Sequence, residues 1–190
     1  PIHEDCELEI ITIDSEEGHE ILRHSTSHLM AQAVEQLYPE AKIAIGPPIE
    51  KGFYYDIDVN EPFSDEDLEK IEERMHAIAE EDYEVTREER SIDDLIDLFD
   101  ARDEDYKIEI LEQIRDEAGD DSASVYWQGD FVDLCRGPHT PTTGWLKHFK
   151  LLNVAGAYWR GDENNQMLQR IYGTSWPSEK ELQEYLDHLE

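Results

Sequence analysis

Cysteine is almost absent: the 190 residues hold two, Cys6 and Cys135. Two thiols cannot build a disulfide framework, so the expectation is a chain with free thiols in a reducing compartment, the cytoplasm. Long apolar runs are missing as well. None approaches the ~20 residues that a membrane helix needs. The N-terminus has neither the basic nor the apolar region of a secretory signal, and no membrane partner is expected. The first residue is Pro1 and not Met, which reads as a processed or excised chain. Positive charge is scarce: seven lysines and nine arginines stand against 48 acids, for a formal net charge of −32. That charge means strong self-repulsion at ordinary ionic strength. Near 1 M salt the Debye length falls to ~3 Å and the repulsion is screened, so the surface reads as a halophile's.

What is present suffices for a core. Hydrophobic residues make up 38% and there are eighteen aromatics, which argues against a disordered acidic tail. The acidity is also uneven. Between residues 122 and 176 there are five bases and four acids, so one stretch is near neutral while the rest is strongly negative. That stretch reads as a face that meets an anion, or as plain core strand.

Periodicity places the elements. Residues 8–13 read as a strand and 16–38 as a helix, with Leu22, Leu29, Met30, Ala33, Val34 and Leu37 forming its main apolar stripe. Strands are expected over 43–45, 53–59 and 83–87. Ser64 and Ser91 read as helix N-caps, a further helix spans about 106–117, and Gly119 marks a break. After it the chain turns β-rich, over 124–128, 131–134, 151–159 and 167–172. Ser178 with Glu181 makes a capping box for a last helix. Helices and strands mix without βαβ regularity, so the expected class is α+β with a largely antiparallel sheet.

Two residue pairs could carry chemistry. His24 and His28 lie one helical turn apart on one face, turned away from the main apolar stripe. Cys135 and His139 share the same spacing on a Gly/Pro loop after a strand, inside the near-neutral stretch. Three readings stay open: a zinc site made of imidazoles and a thiolate, a metal-free hydrolytic pocket, or a histidine-activated thiol nucleophile. Asp133, two residues before Cys135 on one strand face, could orient an imidazole or bind an amino group, or be a strand-end charge in water. Lys107 reads, on spacing alone, as a solvated helix cation.

At these residues the sequence resembles the editing domain of bacterial-type threonyl-tRNA synthetase, over nearly the whole chain. The resemblance is carried by His24-Ser-Thr-Ser-His28, Ile45-Gly-Pro-Pro-Ile-Glu-Lys-Gly-Phe-Tyr-Tyr-Asp56, Asp133-Leu-Cys-Arg-Gly-Pro-His139, Ala155-Gly-Ala-Tyr-Trp-Arg-Gly161 and Gln169-Arg-Ile-Tyr-Gly-Thr-Ser175. Editing domains of alanyl-tRNA synthetases are more distant kin. The resemblance implies that family's α+β fold. It also implies an editing domain over residues 1–176 with a helical α/β insertion at about 60–118, and the start of a linker helix over 177–190. The remaining synthetase domains would be partners, together with the acceptor end of tRNA(Thr) carrying serine.

The implied reaction is hydrolysis of the ester in seryl-tRNA(Thr). Serine lacks one methyl of threonine, and one methyl gives a synthetic site only ~10–200-fold discrimination; a second, smaller site can reject threonine instead. The resemblance implies that His24 and His28 line the pocket, with His24 positioning or deprotonating the attacking water. Lys107 would hold that water or ease the developing oxyanion. Asp133 would take the substrate's ammonium group, Cys135 and His139 would wall the serine side chain, and Tyr55 and Tyr126 would contact adenosine or substrate. No cofactor is required on this reading. The alternatives are a zinc-dependent alanyl-type deacylase, with His24, His28, Cys135 and His139 on the metal, and a degenerate domain that only binds tRNA.

Overall fold

A long helix lies at the centre because its middle is covered on all sides. The computed structural model describes residues 7 and 10–189. The first helix, α1 (Glu16–Leu37), starts at Ser15, whose side chain accepts from Gly18 N, and every residue over 25–34 is buried. The strand expected over 8–13 is not formed at 10–13, and Leu8 and Glu9 lie outside the described residues. Ile10 and Ile11 are exposed and pair with no strand among the described residues, and the chain turns directly into the Ser15 cap.

The remaining elements follow in order: β1 (Lys42–Ile43), β2 (Pro48–Ile49), β3 (Gly52–Asp58), α2 (Asp65–Glu81), β4 (Val85–Ser91), α3 (Ile92–Asp100), α4 (Asp105–Ala118), β5 (Ser122–Gln128), β6 (Phe131–Leu134), β7 (His148–Tyr158), β8 (Met167–Trp176) and α5 (Glu179–Leu189). They form two antiparallel sheets, one in the order β1-β3-β8-β7 with β2 also on β3, the other β4-β5-β6. The architecture is thus the expected α+β with antiparallel sheets.

Local chemistry sets the boundaries. Ser64 and Asp67 form a reciprocal capping box at the start of α2. Ser91 accepts from Asp94 N at the start of α3, and Gly119 ends α4 at φ 68°, a left-handed conformation that suits glycine. Ser178 and Glu181 cap α5. Two short strands, β1 and β2, and the extension of β4 to Ser91 depend on pairing partners and not on pattern.

Two main apolar cores result among the described residues, beside a small cluster of Ala44, Trp159 and Leu168 with Tyr106 and Ile110 of α4 against it. The larger packs α1 and α2 on the five-stranded sheet through Leu29, Met30, Val34, Ile71, Met75 and Ile171. The smaller packs α3 and α4 on the three-stranded sheet through Ile92, Leu95, Phe99, Leu111, Val125 and Val132. Burial at roughly 1.5–3 kcal/mol per large side chain drives both. The polar residues of α1 lie where these two bodies meet.

Candidate active site

The His24–His28 face of α1 turns away from Leu29, Met30 and Val34, and meets β6 and the loop that follows it. Four side chains converge there. Cys135 Sγ lies 3.3 Å from His24 Nε2 and 3.2 Å from His139 Nε2. The His139 ring centroid stands 4.4 Å from that of His24 and 4.2 Å from that of His28. One donor atom from each of His24, His28, Cys135 and His139 can be chosen so that all four lie within 4.8 Å of one another. The two pairs, more than a hundred residues apart in the chain, are therefore one cluster.

Asp133 lies beneath it, at 1% exposure. Its carboxylate accepts from three donors: the Lys107 ammonium, the Tyr55 hydroxyl at 2.5 Å and His28 Nε2 at 3.3 Å. Lys107 also donates to the Tyr55 hydroxyl at 2.9 Å. Lys107 is thus no solvated cation: α4 carries it into the interior, where it is 3% exposed. Tyr55 comes from β3, Asp133 from β6, Lys107 from α4 and His28 from α1, so four elements share one polar knot. A buried charge is tolerated when paired and hydrogen-bonded, as here.

Tyr126 pairs directly with Asp133 across β5 and β6, and its ring lies 4.5 Å from that of His139. It is half-buried and borders the cluster, while Tyr55 is buried inside the knot. Two glycines make room for these tyrosines. A Cβ on Gly46 would fall 2.0 Å from the Tyr55 ring. One on Gly137, at φ +72°, would fall 1.9 Å from the Tyr126 hydroxyl oxygen.

Several supporting residues had no evident role in the sequence. Ser25 Oγ lies 3.1 Å from His139 Nδ1 and accepts from Thr140 N at 2.9 Å, fixing the ring and the loop. Ser27 donates to the carbonyl of Gly46 at 2.8 Å, holding the rim loop on α1. Glu104, at the start of α4, accepts from Ile43 N at 3.3 Å and so ties the Lys107 helix to β1. Three consecutive hydroxyl residues between two histidines on one helix were the available signal for Ser25 and Ser27.

Electrostatics follow from burial. Desolvation lowers His24, and lowers His28 well below the usual imidazole range, with the His24 and Lys107 charges adding to the second. Burial lowers His139 in the same way. At neutral pH all three rings are therefore free bases. Burial, with the Asp133 charge, pushes the Cys135 thiol up to about 12. That disfavours the thiol-nucleophile reading, which needs a lowered thiol.

Together with Gly46 and Pro47, the groups His24, His28, Tyr55, Lys107, Asp133 and Cys135 border a cleft of about 200 Å³. The donor set, three imidazoles and one thiol, also fits zinc chemistry. Among the described residues no helix is long and apolar enough to cross a membrane.

Comparison with known proteins adds to this geometry. Residues 123–172 match the family described as "Threonyl and Alanyl tRNA synthetase second additional domain"; that stretch includes Tyr126, Asp133, Cys135 and His139. The chain is similar to threonine--tRNA ligases: 55% identical over 190 residues to that of Geobacter sp. (strain M21), and 57% over 190 to that of Rubrobacter xylanophilus. The figure for the ligase of Marinobacter nauticus is 53% over 189 residues. Each match covers 100% of this chain and 29% of the relative, so the chain spans about three tenths of the length of the curated relatives it matches.

Proposed function

We infer that this chain, which carries the threonyl and alanyl tRNA synthetase second additional domain, hydrolyses the ester bond of seryl-tRNA(Thr), releasing serine and free tRNA. The observation that carries the reading is the cleft of about 200 Å³, walled by neutral imidazoles and floored by the Lys107–Asp133 pair. A small polar cleft suits a seryl group, and the extra methyl of threonine is what it would reject.

The chemistry needs a base, an anion stabiliser and an anchor. His24, half-buried at the mouth, is the free base that takes a proton from the attacking water. Water oxygen bonds to the ester carbon, and the Lys107 ammonium offsets the charge on the carbonyl oxygen. The ester C–O bond then breaks, and the terminal ribose oxygen leaves as a hydroxyl with the proton held on His24. Asp133 has three of its roughly four acceptor sites filled, so the substrate ammonium takes the open one or replaces the 3.3 Å contact of His28. Cys135 walls the serine side chain, and His139, which does not border the cleft, holds the Cys135 thiol at 3.2 Å. Tyr126 borders the nucleoside, and Tyr55 acts through Asp133.

On this reading residues 1–176 are the editing domain and 177–190 begin a helix toward other synthetase domains, in a cytoplasmic enzyme that edits without a cofactor. The test is deacylation of Ser-tRNA(Thr) and Thr-tRNA(Thr) by the 190-residue chain in molar KCl. Serine release with threonine spared is expected, with a loss of about 10²–10⁴-fold in His24→Ala. Equal rates on both esters, or a fully active His24→Ala, would refute it.

A second reading is favoured by the proximity of the four donor atoms. His24, His28, Cys135 and His139 would hold zinc, which would supply Lewis-acid chemistry when bound. Metal analysis with activity before and after chelation separates the two. Unchanged activity in metal-free protein supports the first reading, and loss restored by zinc supports the second.

A further inference from the structure

A larger hollow, about 550 Å³, opens between the second half of α4 and the β4-β5-β6 sheet. Ile110, Ile114 and Leu134 give it an apolar floor, and Arg87, Glu89, Asp120 and Arg136 stand around it. It adjoins the catalytic cleft: Ile110, Leu134 and Cys135 line both.

Charge singles out one residue of the rim. Seven of the nine arginines pair with a carboxylate within 4.0 Å. Among the described residues the two without such a partner are Arg23 and Arg136, the chain neighbours of His24 and Cys135. A chain with 48 acids has no shortage of carboxylates to offer them. Arg87, by contrast, is 3.1 Å from Glu89, which also accepts from Ser122 at 3.0 Å, so that pair adds little net charge. Asp120 stands just past the end of α4. The hollow is therefore positive at the end next to the catalytic cleft and negative at the other.

The inference rests on the deacylase reading. If the seryl end enters the small cleft, the polynucleotide must leave through a neighbouring opening. We propose that the 550 Å³ hollow seats the nucleotide that precedes the terminal one, its base on Ile110, Ile114 and Leu134 and its phosphodiester against Arg136. An apolar floor takes the face of a base, and a guanidinium matches phosphate oxygens in a bidentate fork. The arrangement positions the substrate and reads no base identity.

The test compares two serine esters, one of a CCA trinucleotide and one of adenosine alone, which has no phosphodiester. Arg136→Ala in the 190-residue chain should lower kcat/KM on the trinucleotide by about tenfold, mostly through KM, the worth of one charge-assisted hydrogen bond at an open site. The adenosine ester should change by less than about twofold, and Arg136→Lys should recover part of the loss. Equal losses on both esters, or none on the trinucleotide, overturn the proposal. Binding of the uncharged CCA trinucleotide is the second readout. Tighter binding by the parent than by Arg136→Ala, with neither ester hydrolysed, keeps the nucleotide site and removes the deacylase reading; equal binding removes the site.

Discussion

Replacing Lys107 with Met should destabilise the fold far more than an ordinary lysine substitution. The ammonium is 3% exposed and its partner Asp133 is 1% exposed. Removing one member of a buried pair leaves an uncompensated charge and costs about 3–5 kcal/mol. Asp133→Leu should cost at least as much, because it leaves the ammonium with only the Tyr55 hydroxyl and takes the acceptor from Tyr55 and His28. The double variant removes both charges. What it leaves is the Tyr55 hydroxyl and His28 Nε2 without their acceptor, worth roughly 1–3 kcal/mol each. The double loss should therefore be about 2–6 kcal/mol, short of the summed single losses, with a coupling on the order of 4 kcal/mol. Urea unfolding of the four proteins measures it, and the singles should also melt roughly 6–20 °C lower. Because the pair is dry, its cost should be the same at about 0.3 M and about 2 M KCl, unlike that of an exposed pair such as Lys70–Glu66. Additive single losses, or a cost that fades with salt, would refute the reasoning.

Burial raises Glu104 from 4.5 to about 7. A group raised in the folded state favours folding below its unfolded value, and that contribution is lost as pH climbs through about 7. Relative to Glu104→Gln, the parent should lose about 3 kcal/mol between these pH values; parallel stability–pH curves would count against it. Gly46→Ala puts a methyl into the Tyr55 ring and should cost about 1–3 kcal/mol along with most deacylation, whereas an unchanged urea midpoint would mean the rim loop yields. With a formal net charge of −32, the melting temperature should rise as KCl goes from about 0.1 M to about 3 M; a fall would remove the halophile reading of the surface.

Much of the site was legible because its parts obey local periodicities. The i, i+4 spacing put His24 and His28 on one face of α1, and strand alternation aligned Asp133 with Cys135. Ser64, Ser91 and Ser178 marked helix starts by their own hydrogen-bonding chemistry. Lys107 was not legible from spacing: a lysine on an acidic helix looks solvated until α4 docks and meets Asp133, 26 residues away. Only the resemblance to an editing domain placed it in the pocket. Ser25 was missed for a similar reason, since its partner His139 is 114 residues distant. The strand expected at 8–13 shows the opposite error, an apolar run that over 10–13 pairs with no strand among the described residues.

The knot formed by Tyr55, Lys107, Asp133 and His28 joins β3 of one sheet to β6 of the other, with α1 and α4 supplying the rest. No single body of the fold holds a working half of it. Parting the two sheets by even one hydrogen-bond length would dismantle the cleft, and would also pull Phe131 of β6 from the larger core and Ile110 of α4 from Trp159 and Leu168. On the deacylase reading, turnover would gauge how firmly the halves are clasped, and a partly opened form would be silent however much native structure each half kept.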